Sequence, residues 1–330
     1  MGGHPRRRAR GLLRRTLLGV LIGVWIAVTG IAQIYVLSTD RPAKAPSGLS
    51  FVRTGTYETR YQAWGAPGGD PIVLIHGAFE SVAYWQPLAR DLAHRYHVEA
   101  YDLKGYGYTD HVGPYTTEAL ATQLFWFLRA RHLEHPILVG HSLGAGVVAR
   151  FVLDHPEVAA GIVFLDGDGL QLSFPGRQLI DLVINPYRTA ILRFAVRSKA
   201  LVQRVFAVAC GPACVPLTSH ELDAVQRPFE VAGAEQAMLA YAARPIVGVQ
   251  VSDLRRVRAE HVPSLVVVGS KDFQFSSGAA KLTARRLGAP APVMIKGAGH
   301  LSMWSSPTEV ASVLERFAGR VSSGQSPRAP

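Results

Sequence analysis

Short apolar runs rich in Val, Ile and Leu alternate with helix-like stretches along most of this 330-residue chain, the pattern of an α/β fold built on a doubly wound, mostly parallel sheet. Three of these runs end directly in a Ser, an Asp and a His, in that chain order. The alternation breaks once, across residues 178–208, where the apolar spacing turns helical and no strand can be drawn, so a helical cap is inserted into the second half. With 48 % hydrophobic residues the chain can bury a full-sized core, and one large domain with an insertion accounts for its length.

The elements follow in order. Residues 1–15 hold six arginines (Arg6, Arg7, Arg8, Arg10, Arg14 and Arg15) and no acid, and residues 16–39 carry no charge. The run 17–37 is overwhelmingly apolar, with Trp25 and Tyr35 inside it, and about 20 such residues cross a bilayer core. Arginines before the run and Asp40 after it place a basic segment, 1–15, in the cytoplasm and a single-pass signal-anchor over 16–39, with the rest of the chain extracytoplasmic. The alternative is a cleaved export signal. The run is long for one, and Pro46 spoils the context after Ala43 and Ala45, but cleavage after Ala32 and the Arg14, Arg15 pair keep it open.

A linker rich in Pro and Ala, 40–50, leads to the first half of the core, 51–169. There, 51–65 alternates as an antiparallel hairpin. Strands are expected at 72–75, 136–139 and 161–165, and helices at 88–96, 117–132 and 145–154. The cap spans 170–246. The second half, 247–320, carries uninterrupted β-branched runs at 264–269 and 292–295, and 321–330, dominated by Ser, Gly and Pro, reads as a disordered tail.

The most specific local signal is Gly140, His141, Ser142, Leu143 and Gly144, placed between the run 136–139 and a helix-like stretch. A serine on a sharp turn between strand and helix exposes its Oγ, and side chains two residues to either side would collide, hence the two glycines. A serine hydroxyl needs a base to take its proton as it attacks. His300, after Gly297, Ala298 and Gly299 at the end of the run 292–295, supplies an imidazole that can accept the proton and return it. Asp272, after the run 264–269, supplies a carboxylate to fix the imidazole tautomer. Asp166 and Asp168, at the tip of 161–165, are the alternative acids.

A tetrahedral intermediate also needs N–H donors. Leu143 offers one at a helix start, where the dipole favours an anion. Ala78, in the loop after 72–75 that begins with His76 and Gly77, offers the second, with Phe79 as the fallback. His76 reads as a histidine that shapes this loop and takes no part in the chemistry.

These landmarks, with Asp102, Gly105, Gly107 and Thr109 between them, resemble the α/β-hydrolase superfamily over residues 50–320. The resemblance is specific for fold and triad and says little about substrate. It implies a serine hydrolase of the esterase or lipase type without cofactor. Ser142 stands where haloalkane dehalogenases and epoxide hydrolases of this superfamily carry Asp, and Ala78 follows His76 and Gly77 where the hormone-sensitive-lipase group carries more glycines.

Setting aside the six leading arginines, 29 basic residues face 24 acidic ones, too even a balance for a nucleic-acid footprint, and no recognition motif for nucleic acid is present. Cys210 and Cys214 are the two cysteines. No ligand set of zinc-like spacing surrounds them, so no metal is expected. In an exported domain they would form a disulfide that pins a tight turn of the cap; the alternative is a pair of reduced thiols. The first part of the cap, 177–204, has six basic residues against Asp181 alone, interleaved with apolar ones. It is either a solvated face or a surface for anionic lipid. Phe79, Tyr84, Trp85, Phe174, Phe206 and Trp304 are candidates to line a pocket.

The expected activity is hydrolysis of carboxylic esters, of a small-molecule or lipid substrate with apolar acyl groups, through an acyl-enzyme at a membrane. Cleavage of another bond (C–C, thioester, amide or perhydrolysis) is the second reading, and a non-catalytic binding relative the third.

Overall fold

The computed structural model describes residues 5–171, 183–243 and 247–324. A long helix, α1 (Pro5–Ser38), precedes the hairpin β1 (Ser50–Thr54) and β2 (Tyr57–Trp64). The first half then runs β3 (Pro71–Ile75), α2 (Gln86–Leu92), β4 (His97–Tyr101), α3 (Thr117–Arg131), β5 (Ile137–His141), α4 (Leu143–Asp154) and β6 (Gly161–Leu165). The described cap holds α5 (Tyr187–Arg197), α6 (Lys199–Cys210), α7 (Ser219–Gln226) and α8 (Ala234–Ala242). The second half is α9 (Val251–Ala259), β7 (Ser264–Gly269), α10 (Ser277–Leu287), β8 (Val293–Ile295), α11 (Ser302–Ser305) and α12 (Pro307–Ser322).

The eight strands form one sheet in the order β1-β2-β4-β3-β5-β6-β7-β8. The leading hairpin is antiparallel and joins β4 antiparallel, while every pairing from β4 to β8 is parallel. Parallel strands need both faces covered. Leu124 and Phe127 of α3, Val147 and Phe151 of α4, Leu254 of α9 and Ala284 of α10 pack on one face. Leu88 and Leu92 of α2 and Val310, Leu314 and Phe317 of α12 pack on the other. This double cover explains why β5, β6 and β7 are buried at every position, and why their sequences read as unbroken apolar runs.

Three details depart from expectation. The helix expected over 88–96 is Gln86–Leu92, with Pro87 in its first turn, because the N–H groups of Arg95 and Tyr96 both turn back to the Leu92 carbonyl (3.1 and 3.0 Å). Strand β4 was not anticipated. His97 and Glu99 break its apolar run, yet Glu99 is wholly buried, where it accepts from His97 and from the Arg131 guanidinium at 2.8 and 2.9 Å. The tail expected from 321 is still helical through Ser322, with Val321 packed on the core; 325–330 lie outside the described residues.

The cap lies against the carboxyl-terminal part of α1. The Tyr187 hydroxyl of α5 meets the Thr29 hydroxyl. Arg193 donates to the Val36 carbonyl (2.8 Å), the Asp40 carboxylate (2.9 Å) and the Glu235 carboxylate (2.7 Å). Arg197 donates to the Thr39 carbonyl at 3.0 Å, and Ala43 N–H donates to the Glu230 carbonyl at 2.8 Å. Two of the cap's basic residues thus bind the chain that leaves α1 and do not form a free cationic face.

Candidate active site

β5 ends at His141 and α4 begins at Leu143, so Ser142 alone makes the turn, at φ 49° and ψ −115°. A non-glycine residue held there costs about 1–3 kcal/mol. The surrounding packing leaves no alternative. A Cβ on Gly140 would lie 2.4 Å from the Gly144 carbonyl oxygen, and one on Gly144 would lie 2.2 Å from that of Ile75. Gly167, after β6, brings its backbone so close that a Cβ there would lie 2.7 Å from Ser142 Cα. Ser142 N–H donates to the Leu165 carbonyl at 3.0 Å, which fastens the turn to β6.

The structure brings Ser142, His300 and Asp272 into one chain of hydrogen bonds. His300 Nε2 lies 3.1 Å from Ser142 Oγ, and His300 Nδ1 lies 2.8 Å from Asp272 Oδ2. Nδ1 faces a carboxylate and must carry the proton, which leaves Nε2 free to accept one from the serine. The second Asp272 oxygen accepts from the N–H groups of Gln274 and Phe275 at 2.7 and 2.9 Å, so the turn after β7 holds the carboxylate in place.

The two alternative acids sit elsewhere. Asp168 accepts from Leu170 N–H at 2.9 Å. Asp166 is wholly buried and accepts from Gly269 N–H (2.7 Å), Ser302 N–H (3.0 Å) and the Ser302 hydroxyl (2.5 Å), tying together the loops that carry Asp272 and His300. Burial pushes its carboxyl up to about 6, against the opposing pull of His141 and His300.

Gly77 places the loop after β3 beside the serine: a Cβ on Gly77 would sit 3.0 Å from Ser142 Cβ. Among the described residues, neither Ala78 nor Leu143 donates its N–H to a protein acceptor, so both are open to an incoming oxygen. The ring of Phe79, the fallback donor, packs edge-on to Tyr106 with centroids 6.1 Å apart. His76 is buried within this loop. Its Nε2 accepts from Leu103 N–H at 2.9 Å and its Nδ1–H donates to the Gly77 carbonyl at 2.7 Å, and burial keeps it neutral by lowering its pKa.

Sequence reasoning missed a buried ion pair beneath the serine. His141 Nδ1 lies 3.0 Å from Glu80 Oε2 and its Nε2 lies 2.7 Å from the carbonyl oxygen of His300. Both ring nitrogens face acceptors, so both carry protons. Burial opposes that charge, but Glu80 beside it, Asp166 and the His300 carbonyl outweigh burial and push His141 up to about 9. For Glu80, burial raises and His141 lowers, aided by a 2.8 Å bond from Gly77 N–H, and the carboxyl ends below its ordinary value. This pair joins the Gly77 loop to the main chain of His300. The signal was present as a histidine inside the Gly140–Gly144 motif and an acid three residues beyond Gly77, but nothing in sequence spacing says that they touch.

The aromatic candidates divide. Trp85 is wholly buried, edge-on to His141, and Tyr84, Phe206 and Trp304 pack on one another with centroids 5.2–6.4 Å apart, so these belong to the core. Phe79 is half-exposed beside Ala78. Phe174 lies outside the described residues. Among the described residues, no cluster of His, Cys, Asp or Glu is arranged to hold a metal ion.

Comparison with known proteins places this geometry. The model of the α/β hydrolase fold family matches residues 70–307. The chain belongs to the α/β-hydrolase fold family. It is similar to an uncharacterized protein of Mycobacterium tuberculosis, 26 % identical over 84 % of this chain and 83 % of that one. Among solved structures, a bacterial membrane phospholipase A, described as a virulence factor, matches with a TM-score of 0.66 at 21 % identity, over 96 % of this chain and 99 % of that one. A haloalkane dehalogenase of Bradyrhizobium elkani matches with 0.68 at 19 % identity, over 84 % and 99 %. Two such different reactions on one backbone mean that the likeness speaks for the fold, and that the reaction has to be argued from side chains.

Two outcomes are expected. Asp272→Asn should fold and lower kcat by about 10⁴-fold, since the amide holds the wrong imidazole tautomer, while Asp168→Asn should have a far smaller effect; steady-state kinetics on one ester decide, and a larger loss at Asp168 would reverse the assignment. The raised His141 makes its pair with Glu80 a contribution to stability that is complete below the ordinary histidine value of about 6.5 and lost as pH rises through about 9. Urea unfolding should show the midpoint falling across that window, and Glu80→Gln should flatten the fall. An unchanged slope in the variant would remove the charged pair.

Proposed function

We propose that this protein is a membrane-anchored serine hydrolase that cleaves carboxylic esters of apolar acyl groups, including lipids, through a covalent acyl-enzyme. The observation that carries the reading is the hydrogen-bonded chain Ser142–His300–Asp272 at a strained turn, with the N–H groups of Ala78 and Leu143 uncommitted beside it. In this reading His300 takes the Ser142 proton as Oγ attacks the ester carbonyl, and Ala78 and Leu143 receive the oxyanion. His300 then returns the proton to the leaving alcohol. A water activated by the same imidazole releases the acid and restores the serine.

The membrane part of the reading rests on α1. Its segment Leu13–Ser38 is 26 residues long and holds an 18-residue window of mean hydropathy 2.2; the segment is about 39 Å at 1.5 Å per residue, enough for a hydrocarbon core of about 30 Å. Leu17, Leu21, Trp25, Ile31 and Ile34 are exposed along it, a surface that water would penalise and lipid would not. A helix of this kind is also compatible with an export signal. The fastening of α5 to residues 29–41 favours a retained anchor, because cleavage after Ala32 would discard part of that contact.

The same contact supports the preference for apolar acyl groups by holding the cap against the apolar helix. Val28, Ile31, Ala32 and Tyr35 of α1 and Ile191 and Phe194 of α5 line an apolar cleft of about 470 Å³, and Ile191 and Phe194 are otherwise exposed. The cap, whose helix α6 reaches the His300 loop, would then stand at the lipid surface. The similar solved structure described as a membrane phospholipase A fits this arrangement.

A fluorophosphonate probe should label the wild type, and Ser142→Ala should abolish the label and reduce ester turnover by several orders of magnitude; labelling at another serine would sink the assignment. Across a chain-length series of p-nitrophenyl esters, turnover should favour long acyl chains, whereas inactivity on all of them would shift weight to another bond. Full-length protein should resist alkaline carbonate extraction, and protein beginning at Pro46 should be extracted. External protease should reach the hydrolase domain, and protection until lysis would reverse the orientation.

A further inference from the structure

The carboxyl end of α6 lies against the loop that carries His300. A helix leaves its last carbonyls without partners inside the helix, and here the His300 loop takes them. His300 N–H donates to the Ala209 carbonyl at 2.7 Å, and Gly299 N–H donates to the Cys210 carbonyl at 2.9 Å. The contact is closely fitted from both sides. A Cβ on Gly299 would lie 2.5 Å from the Ala209 oxygen, and one on Gly211, held at φ 89°, would lie 2.7 Å from Gly299 N. With His141 donating to the His300 carbonyl, the main chain of His300 is held at its N–H by the cap and at its C=O by the core.

Beyond Gly211 few interactions hold the chain. Cys214 N–H donates to the Gly211 carbonyl at 3.0 Å, and Val215 is exposed. The disulfide joins the wholly buried Cys210 to the partly buried Cys214, before Leu217 returns to the core. So short a loop removes little entropy from the unfolded chain and stabilises the whole fold only modestly. Its effect is local: it ties Cys214 to the helix end that receives His300.

We propose that the end of α6, fastened by the Cys210–Cys214 disulfide, is a positioning element for His300, so that the thiol–disulfide state of the cap sets the turnover rate at Ser142. This rests on the serine-hydrolase reading above. A dithiol reductant gives two electrons and two protons to the cap disulfide; the S–S bond breaks, two thiols form, and the reductant becomes a disulfide. The freed turn lets the Ala209 and Cys210 carbonyls move and the imidazole follow, and a displacement of about 1 Å costs on the order of 10²-fold in rate. Because the imidazole is displaced and the substrate-binding surface is not, the effect falls on kcat and not on KM.

The test uses the full-length oxidised protein, treated or not with dithiothreitol, with thiol content checked by intact mass. Reduction should lower kcat about 10- to 100-fold, leave KM within about twofold, slow fluorophosphonate labelling in parallel, move the melting midpoint by only a few degrees, and reverse on reoxidation. Cys210→Ala with Cys214→Ala should reproduce the low kcat and no longer respond to dithiothreitol. Gly211→Ala should lower kcat with the disulfide intact. If the double variant fails to fold, reversible reduction of the wild type still decides. Unchanged kcat after verified reduction would overturn the proposal, and so would a loss of activity that merely tracks a collapse in melting temperature. Oxidised protein that no fluorophosphonate labels would instead overturn the serine-hydrolase reading on which this one stands.

Discussion

The positive φ of Ser142 is the constraint around which the rest is arranged. No serine adopts that conformation for its own sake, and the cost of about 1–3 kcal/mol must be met by packing on every side. Burial of Val139, Leu143 and Val147 on the flanking strand and helix meets it, at about 1.5–3 kcal/mol for each fully buried aliphatic side chain. The backbone approaches follow from the same demand. Gly140, Gly144 and Gly167 let β5, α4 and the turn after β6 come together within distances that no Cβ would survive. A change at any of the three would relax the turn and withdraw Oγ from the imidazole without touching either.

Around this turn the protein buries charge, which is costly unless each charge is paired and hydrogen-bonded. Glu80 meets His141, His141 meets the His300 carbonyl, Asp166 meets Gly269 and Ser302, and Asp272 meets His300, each across to another loop. The network therefore joins loops that the sheet alone leaves separate. Removing one partner would leave another buried charge unpaired, so the network is expected to respond as a unit. This separates two functions that the sequence could not separate. Asp272 orients the imidazole, while Asp166 holds the loops on which Asp272 and His300 stand.

Much of this was legible in the sequence because it depends on local rules. β5, β6 and β7 are covered on both faces, so their sequences are unbroken apolar runs, and Ser142 and Asp272, which follow β5 and β7, meet through His300 after β8. The glycines around Ser142 declare a turn without needing the fold. The missed features are those in which a tertiary partner reverses a local preference. β4 was hidden because Glu99 is charged, and only Arg131 from α3 together with His97 makes its burial tolerable. His141 stands inside the motif with nothing nearby in sequence to mark its role, which depends on Glu80, 61 residues away. Arg193 and Arg197 looked like a cationic face because the acids they meet, Asp40, Glu235 and Glu230, lie in other segments.

The cap insertion gains a mechanical meaning from these contacts. At one end α5 holds the chain leaving α1, through Arg193, Arg197 and Tyr187. At the other end α6 gives its last carbonyls to Gly299 and His300. Between them, Ser198 ends α5 and caps α6, accepting from Leu201 N–H, so the two helices meet at a single residue with no slack between them. An insertion that served only to cover a pocket would need neither contact. Holding both, it connects the helix proposed as the anchor to the residue proposed as the base, and a shift of the cap relative to α1 would be transmitted to the imidazole through one short, stiff element. Because the core holds His300 by its carbonyl and the cap by its N–H, the position of the imidazole is a compromise between the two, and it is the cap side of that compromise that surroundings outside the core can reach.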